Sequence, residues 1–132
     1  MTRINHIAIL VEDIEKALPF WQDALGLELA EIEEVEAEKA RVAFFPTGES
    51  QIELVQPTDP ETGLGRYLSK HGGGLHHICL EVPDIAAAMQ RLQSHGVTLI
   101  NESPRQREDG TLYAFIHPKS TQGVLLELYQ LP

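Results

Sequence analysis

Two stretches of this chain repeat each other. The run 5–14 aligns with the run 76–85, and His, Ile, Val, Asp and Ile coincide at a shift of 71 residues. A later run, 51–56, aligns with 125–130 at a shift of 74, and there Glu, Leu and Gln coincide. An internal repeat on this scale predicts a chain built from two copies of one supersecondary unit.

Each copy carries the signals of one helix near its start. Asp13 and Asp84 stand where short acceptor side chains can cap the first turn, and apolar residues follow at helical spacing. The helices should end near Gly26 and Gly96, because glycine suits the left-handed position after a helix. Pro19 lies inside the first helix and lacks a backbone N–H, so we expect a local kink there.

The remaining apolar runs predict strands, one before each helix and three after it. They are 4–11, 27–34, 39–46 and 51–56 in the first copy, and 76–82, 97–102, 111–117 and 123–130 in the second. The stretch 58–74 has turn signals and predicts a linker with a short helix at 65–70. The expected fold class is therefore α+β, with two tandem βαβββ modules.

The expected modules cover about 1–57 and 75–132, with the linker 58–74 between them. A half of this size buries little core by itself. We therefore expect the halves to pack together as a single domain, 1–132, or to exchange with a second chain.

Composition excludes several classes of partner and site. The net charge of −10 disfavours nucleic acid, which is bound through clustered Lys and Arg. Cys79 is the only cysteine, so neither an intrachain disulfide nor a Cys-rich zinc site is possible. The apolar runs are far shorter than the roughly 20 residues that span a bilayer. With no visible secretory signal, we expect a cytoplasmic protein that does not enter membranes.

The repeat places one His and one Glu at equivalent points in each copy. His6 and His77 lie on the first strands, and Glu53 and Glu127 interrupt otherwise apolar last strands. A carboxylate in such a strand is costly to bury unless it is paired or binds a metal. If the copies are related by a pseudo-two-fold axis, the four side chains can meet at one point. Nitrogen and oxygen ligands of this kind suit a divalent ion such as Co, Mn, Zn or Ni.

Each of these residues also has an ordinary structural interpretation. A single His beside an apolar strand is usually a packing residue, and a single Glu there usually faces solvent. The coincidence of four residues under the repeat favours the metal site. His76 adjoins His77 but aligns with Asn5 and faces the other side of the strand, so we interpret it as structural.

The segments 6–11 and 77–82 resemble the metal-binding strands of the vicinal-oxygen-chelate superfamily, also called glyoxalase/bleomycin-resistance proteins. The segments 73–82, 117–120 and 123–128 resemble, more narrowly, the methylmalonyl-CoA epimerases. The resemblance covers nearly the whole chain. It implies a curved mixed sheet around a metal cavity, a homodimer, and a metal site formed by the four residues just named: His6, Glu53, His77 and Glu127.

The activity that this resemblance implies is an isomerase reaction on an acyl-CoA. The 2R and 2S forms of methylmalonyl-CoA would interconvert by proton abstraction at the α carbon, through a metal-stabilised enolate. Glu127 is the better candidate for one acid/base group, and Glu53 or a metal-bound water is the candidate for the other. The position where some relatives carry a further Glu is Arg41 here, which leaves the second group open. Lys119 is a candidate contact for the substrate's carboxylate or a phosphate.

Other interpretations stay open on sequence alone. A lyase of the glyoxalase I type, acting on a glutathione hemithioacetal, would use the same kind of ligand set. A non-catalytic binding module of the same fold would not need the metal. The basic stretch 105–107 either contacts CoA phosphates or is a surface loop.

Overall fold

The computed structural model describes residues 2–132 of the chain, and Met1 lies outside the described residues. The helices are α1 (Ile14–Leu18), α2 (Gly63–His71) and α3 (Ile85–Ser94). The strands are β1 (Arg3–Leu10), β2 (Glu31–Val35), β3 (Ala40–Thr47), β4 (Ser50–Pro57), β5 (Gly74–Glu81), β6 (Arg105–Gln106), β7 (Leu112–Ile116) and β8 (Leu126–Gln130). None of the described helices is long and apolar enough to cross a membrane.

The chain divides into two compact units, and β1 and β5 contribute residues to both. Ile7–His76 form one unit, in which the strand order is β2-β3-β4-β1-β5. The other contains the described residues up to His6 together with His77–Pro132, and its order is β1-β5-β8-β7-β6. Neighbours β2–β3, β3–β4, β6–β7 and β7–β8 are antiparallel, whereas β5–β8 is parallel. This mixed arrangement of strands with helices confirms the predicted α+β class.

The unit Ile7–His76 has its core between α1 and two strands. Ile14 of α1 packs with Ala43 and Phe45 of β3 and with Leu54 of β4, and all four are completely buried. The backbone N–H of Ile14 donates to the side-chain oxygen of Gln56, at the end of β4. The helix start is thereby fixed to the last strand of its own module.

The unit that contains His77–Pro132 repeats this arrangement. Ile85 and Met89 of α3 pack against Ala114 and Ile116 of β7 and Leu128 of β8. The backbone N–H of Ile85 donates to the side-chain oxygen of Gln130 at 2.9 Å, the same distance as in the other unit. Gln56 and Gln130 are equivalent in the sequence repeat, so the repeat extends to the way each helix is attached.

The linker helix forms where it was expected, with slightly wider bounds. α2 spans Gly63–His71, and the hydroxyl of Thr62 caps it by accepting from the N–H of Gly65. Gly65 is packed directly on the preceding turn, where an added Cβ would lie 2.4 Å from the carbonyl oxygen of Asp59. Glycine is therefore required at this contact.

The first helix was expected to run to about Gly26 with a local kink at Pro19, and its α-helical hydrogen bonding does change at that residue. α1 ends at Leu18, and Pro19–Ala24 continue as a π-helical segment with a Leu25 N–H to Phe20 C=O bond. The change of hydrogen-bond register falls at Pro19, which has no N–H to give. Asp13 occupies the N-cap position but makes no capping bond with its side chain, whereas Asp84 accepts from the N–H of Ala87.

The strand predicted at 97–102 is wrong. Only one isolated bridge forms there, between Leu99 and Ile116, and the short strand β6 lies further on at Arg105–Gln106. The ladder stops because the side chain of Asn101 accepts the N–H of Phe115. A polar side chain has thus replaced the backbone acceptor that a longer strand would supply.

Candidate metal centre

The candidate metal centre consists of three residues on β1, β5 and β8, all within one compact unit: His6, His77 and Glu127. On β1 the buried residues alternate with more exposed ones, and His6 is only 2% exposed. On β8 Glu127 is 1% exposed, and its register partner on β5 is Cys79. His77 stands two residues before Cys79, so it shares the face of β5 on which Cys79 lies.

The donor atoms of these residues form a nearly equilateral triangle. Nε2 of His6 lies 3.2 Å from Nε2 of His77 and 3.4 Å from Oε1 of Glu127. The remaining side, from His77 Nε2 to Glu127 Oε1, is 3.1 Å. Three electron-pair donors at such distances need a proton or a cation between them.

This triangle fits a metal ion. Ligands about 2.1 Å from one ion are roughly 3.0 Å apart at right angles and roughly 3.4 Å apart at the tetrahedral angle. Two imidazoles and a carboxylate are also the donor types that first-row divalent ions prefer. Of the described residues, these three form the group able to hold a metal ion.

Arg107 contacts the second oxygen of the Glu127 carboxylate. Its Nη2 donates to Oε2 at 3.2 Å, while Oε1 faces the two imidazoles. Burial by itself raises the pKa of Glu127, but hydrogen bonds with His6 and His77 outweigh it and lower the pKa to about 2. The carboxylate is thus stabilised in its charged form inside the protein.

The contact of Arg107 with Glu127 was not predicted from the sequence. The stretch 105–107 was expected either to contact CoA phosphates or to form a surface loop. The guanidinium lies 4.2 Å from the ring centroid of Tyr113, and the backbone N–H of Arg107 donates to the carbonyl of Thr111. A hairpin between β6 and β7 brings it there. The Asp109-Gly110 pair was a signal for this turn, since such pairs mark tight hairpins.

The other two predicted site residues lie on other elements than β1, β5 and β8. Glu53 is half-buried on β4, in the unit Ile7–His76, where the side-chain amide of Gln51 donates to it at 3.1 Å. Lys119 is exposed in the short 3-10 turn Pro118–Ser120. The ring of His76 packs edge-on against Tyr67 at 5.4 Å, in keeping with a structural role. The roles of Glu53 and Lys119 stay predictions.

Arg41 is held by an ion pair with Glu15, within the unit Ile7–His76. Its two terminal nitrogens donate to both oxygens of Glu15, at 3.1 and 3.0 Å. Hydrogen bonding from Arg41 lowers the pKa of Glu15 to about 2. Arg41 therefore joins β3 to α1, and no acid/base group stands at this position.

Comparison with known proteins places this geometry in a family. A model described as the Glyoxalase/Bleomycin resistance protein/Dioxygenase superfamily matches residues 5–115. The chain belongs to this superfamily. An ethylmalonyl-CoA/methylmalonyl-CoA epimerase of Cereibacter sphaeroides is 35% identical over 98% of this chain and 98% of its own length. An uncharacterised Bacillus subtilis protein, YqjC, is 40% identical over 97% of this chain and 91% of its own.

Solved structures support the predicted resemblance to methylmalonyl-CoA epimerases. A methylmalonyl-CoA epimerase in complex with methylmalonyl-CoA and NH4+ has a TM-score of 0.88, with 31% identity, 99% of this chain covered and 95% of the other. A Streptomyces coelicolor epimerase variant in complex with 2-nitronate-propionyl-CoA gives the same values. By contrast, lactoylglutathione lyase of Haemophilus influenzae is 28% identical over 86% of this chain and 83% of its own length. The predicted resemblance to methylmalonyl-CoA epimerases is confirmed.

Proposed function

We propose that this protein interconverts the 2R and 2S epimers of methylmalonyl-CoA and that it does so with a bound divalent metal ion. The observation that carries the proposal is the triangle of His6, His77 and Glu127, whose donor atoms are 3.1 to 3.4 Å apart. The similarity to epimerases over nearly the whole chain supports the choice of substrate. Glu53 is proposed as the fourth ligand.

His6 and His77 would hold the ion as neutral donors, and Glu127 would add one negative charge through Oε1. When bound, the ion supplies positive charge that lowers the cost of the negative charge left on the substrate after the α proton leaves. The near-complete burial of His6 and Glu127 keeps water away from that side of the centre. The second oxygen of Glu127 is held by Arg107, which fixes the orientation of the carboxylate.

Inversion of the α carbon requires removal of a proton on one face and its return on the other. Two acid/base groups are therefore needed. We propose the carboxylates of Glu127 and Glu53 for these roles. Arg41 is engaged with Glu15 and does not serve as a third candidate.

The acyl-CoA needs a contact for its charged groups in a protein whose net charge is −10. We propose Lys119, which is exposed at the turn Pro118–Ser120. The turn is fixed because the ring nitrogen Nδ1 of His117 accepts the backbone N–H of Lys119 at 3.0 Å. A homodimer and a cytoplasmic location are part of the same proposal.

The test is proton exchange at the α carbon. One epimer of methylmalonyl-CoA is incubated in deuterated water with the Co2+-loaded protein, and deuterium incorporation is followed by mass spectrometry. We expect deuterium exchange at the α carbon and epimerisation with the wild type, and neither with Glu127→Ala. Glu102→Ala, which removes an exposed carboxylate, serves as the matched control and should behave as the wild type.

The same preparations are offered the glutathione hemithioacetal of methylglyoxal. Turnover of this substrate, without exchange on methylmalonyl-CoA, would replace our proposal by a lyase of the glyoxalase I type. Binding of either ligand without any turnover would indicate a binding module. Circular dichroism of each variant confirms that it is folded.

A further inference from the structure

A chain of four side chains leads from solvent to the ring of His6. Nδ1 of His6 lies 2.7 Å from the side-chain oxygen of Asn5. The amide nitrogen of Asn5 donates to Oε1 of Glu81 at 3.1 Å, and Nε of Arg3 donates to Oε2 of Glu81 at 3.1 Å. Arg3 is 46% exposed along its side chain, whereas His6 is 2% exposed. All four residues belong to the unit that holds the metal centre.

The direction of each hydrogen bond follows from the chemistry of the groups. The Glu81 carboxylate, paired with Arg3, can only accept, so Asn5 must turn its NH2 group toward it. The amide oxygen of Asn5 then faces His6, and an amide oxygen also only accepts. The hydrogen between the two residues must therefore be on Nδ1 of His6. In a neutral imidazole this leaves the lone pair on Nε2.

We propose that Asn5 and Glu81 are positioning residues that set the tautomer of His6. They direct the lone pair of Nε2 toward His77 and Glu127, which lie 3.2 and 3.4 Å away. In the opposite tautomer an N–H would point at those atoms, and His6 could not act as a metal ligand. The inference deepens the proposed metal site and rests on it where metal affinity is concerned.

The sequence repeat does not supply the same device twice. His76 occupies the position equivalent to Asn5, and its ring packs against Tyr67.

The tautomer is measurable without metal or activity. Two-bond 1H–15N correlation spectra of metal-free, 15N-labelled protein identify the protonated ring nitrogen of each histidine, at a pH about two units above the usual imidazole pKa of about 6.5. We expect the Nδ1–H form for His6 in the wild type. In Asn5→Leu the acceptor is gone, so the Nε2–H form should gain population. Glu81→Gln, which keeps the shape of the side chain, should give a mixture.

A double variant tests the role by rescue. In Asn5→Asp with Glu81→Gln, the Gln side chain can donate to Asp, and Asp can accept from Nδ1 of His6. Every bond of the chain is kept, with donor and acceptor exchanged between positions 5 and 81. We expect the Nδ1–H tautomer to return. Glu33→Gln, an exposed strand carboxylate elsewhere, is the control and should leave the tautomer unchanged.

Affinity for Co2+, measured by calorimetry on the same proteins, connects the tautomer to metal binding. Outer-shell partners of a metal-bound histidine typically contribute about 10- to 100-fold in affinity, and we expect losses of that size in Asn5→Leu and Glu81→Gln. The inference is overturned if His6 of the wild type carries its hydrogen on Nε2, or if both variants bind Co2+ as the wild type does. A wild type with the Nδ1–H tautomer that binds no Co2+ would contradict the metal site instead.

Discussion

The guanidinium of Arg107 and the carboxylate of Glu127 are joined by one hydrogen bond of 3.2 Å, from Nη2 to Oε2. The two oxygens of the carboxylate therefore have different partners. Oε2 accepts from Arg107, whereas Oε1 is directed at the imidazoles of His6 and His77. A buried carboxylate that could rotate freely would offer either oxygen to a metal, or both. Arg107 therefore determines which oxygen is presented.

Replacement of Arg107 by Met should lower the free energy of unfolding by about 1.5–3 kcal/mol, the usual contribution of a hydrogen bond to a charged group. Methionine keeps much of the aliphatic contact with Tyr113 but leaves Glu127 without this donor. Urea denaturation monitored by circular dichroism measures the change. Arg105→Met is the control, since Arg105 is exposed on β6, and it should stay within about 0.5 kcal/mol of the wild type. Equal losses in both variants would contradict the role assigned to Arg107.

The two helix starts should respond differently to loss of their aspartates. Asp84→Ala removes a bond to the N–H of Ala87 and should destabilise the protein by about 0.5–2 kcal/mol. Asp13→Ala removes no capping bond and should cost clearly less. Thermal unfolding of the two variants, compared side by side, gives the answer, and a larger loss for Asp13→Ala would count against the described geometry.

The two glutamines that attach the helices should contribute similarly. Gln56→Leu and Gln130→Leu each leave a helix N–H without its side-chain acceptor, and each should cost about 1–3 kcal/mol. Gln122→Leu, at an exposed turn position, provides the comparison. If either Gln56→Leu or Gln130→Leu were as stable as the wild type in denaturant titrations, the prediction that both glutamines stabilise their helices would be contradicted.

The ion pair of Glu15 and Arg41 predicts a pH dependence. Because the pKa of Glu15 is lowered to about 2 in the folded protein, its contribution to stability is present above its ordinary pKa of 4.5. That contribution is lost as the pH falls from about 4.5 through about 2. The stability difference between wild type and Glu15→Gln should therefore shrink over this range. A difference that stays constant from pH 6 down to pH 2 would rule out the pair as its source.

A bound divalent ion should raise the melting temperature, because a ligand that binds only the folded state stabilises it. At 100 times the dissociation constant the gain is about 2.7 kcal/mol. His77→Ala should abolish the gain, whereas His95→Ala, at the exposed end of α3, should keep it. Scanning calorimetry with and without Co2+ measures the effect, and excess chelator should reverse it. Stabilisation that persisted in His77→Ala would place the ion elsewhere.

Much of the fold was readable because the chain is a repeat. The alignment of His6 with His77 located the first strand of each predicted module, and the period of two along β1 and β5 indicated which side each histidine faces. The alignment of Glu53 with Glu127 identified the last strands. Predictions that depend on neighbouring residues were also correct. The second helix ends near Gly96 as expected, and Gly96 takes a left-handed φ of 78° after α3.

The predictions from sequence failed where a residue distant in the chain competes with a local structural preference. The run 97–102 has the composition of a strand, but the side chain of Asn101 takes the N–H of Phe115. Asp13 has the chemistry of an N-cap, yet a glutamine 42 residues away from Ile14 accepts the first N–H of that helix. Sequence patterns describe what a segment can do, and such competition is decided by the segment packed beside it.

The sequence by itself determined most of the strand and helix types, the repeat and the candidate ligands, because these depend on side-chain chemistry and on spacing along the chain. Only the tertiary structure decided that His6, His77 and Glu127 lie 3.1 to 3.4 Å apart, and that Arg107 and Asn5 orient two of them. The physical reason is that these contacts join residues up to 121 positions apart (127 minus 6). Strand pairing sets such distances, and nothing in the local sequence encodes them.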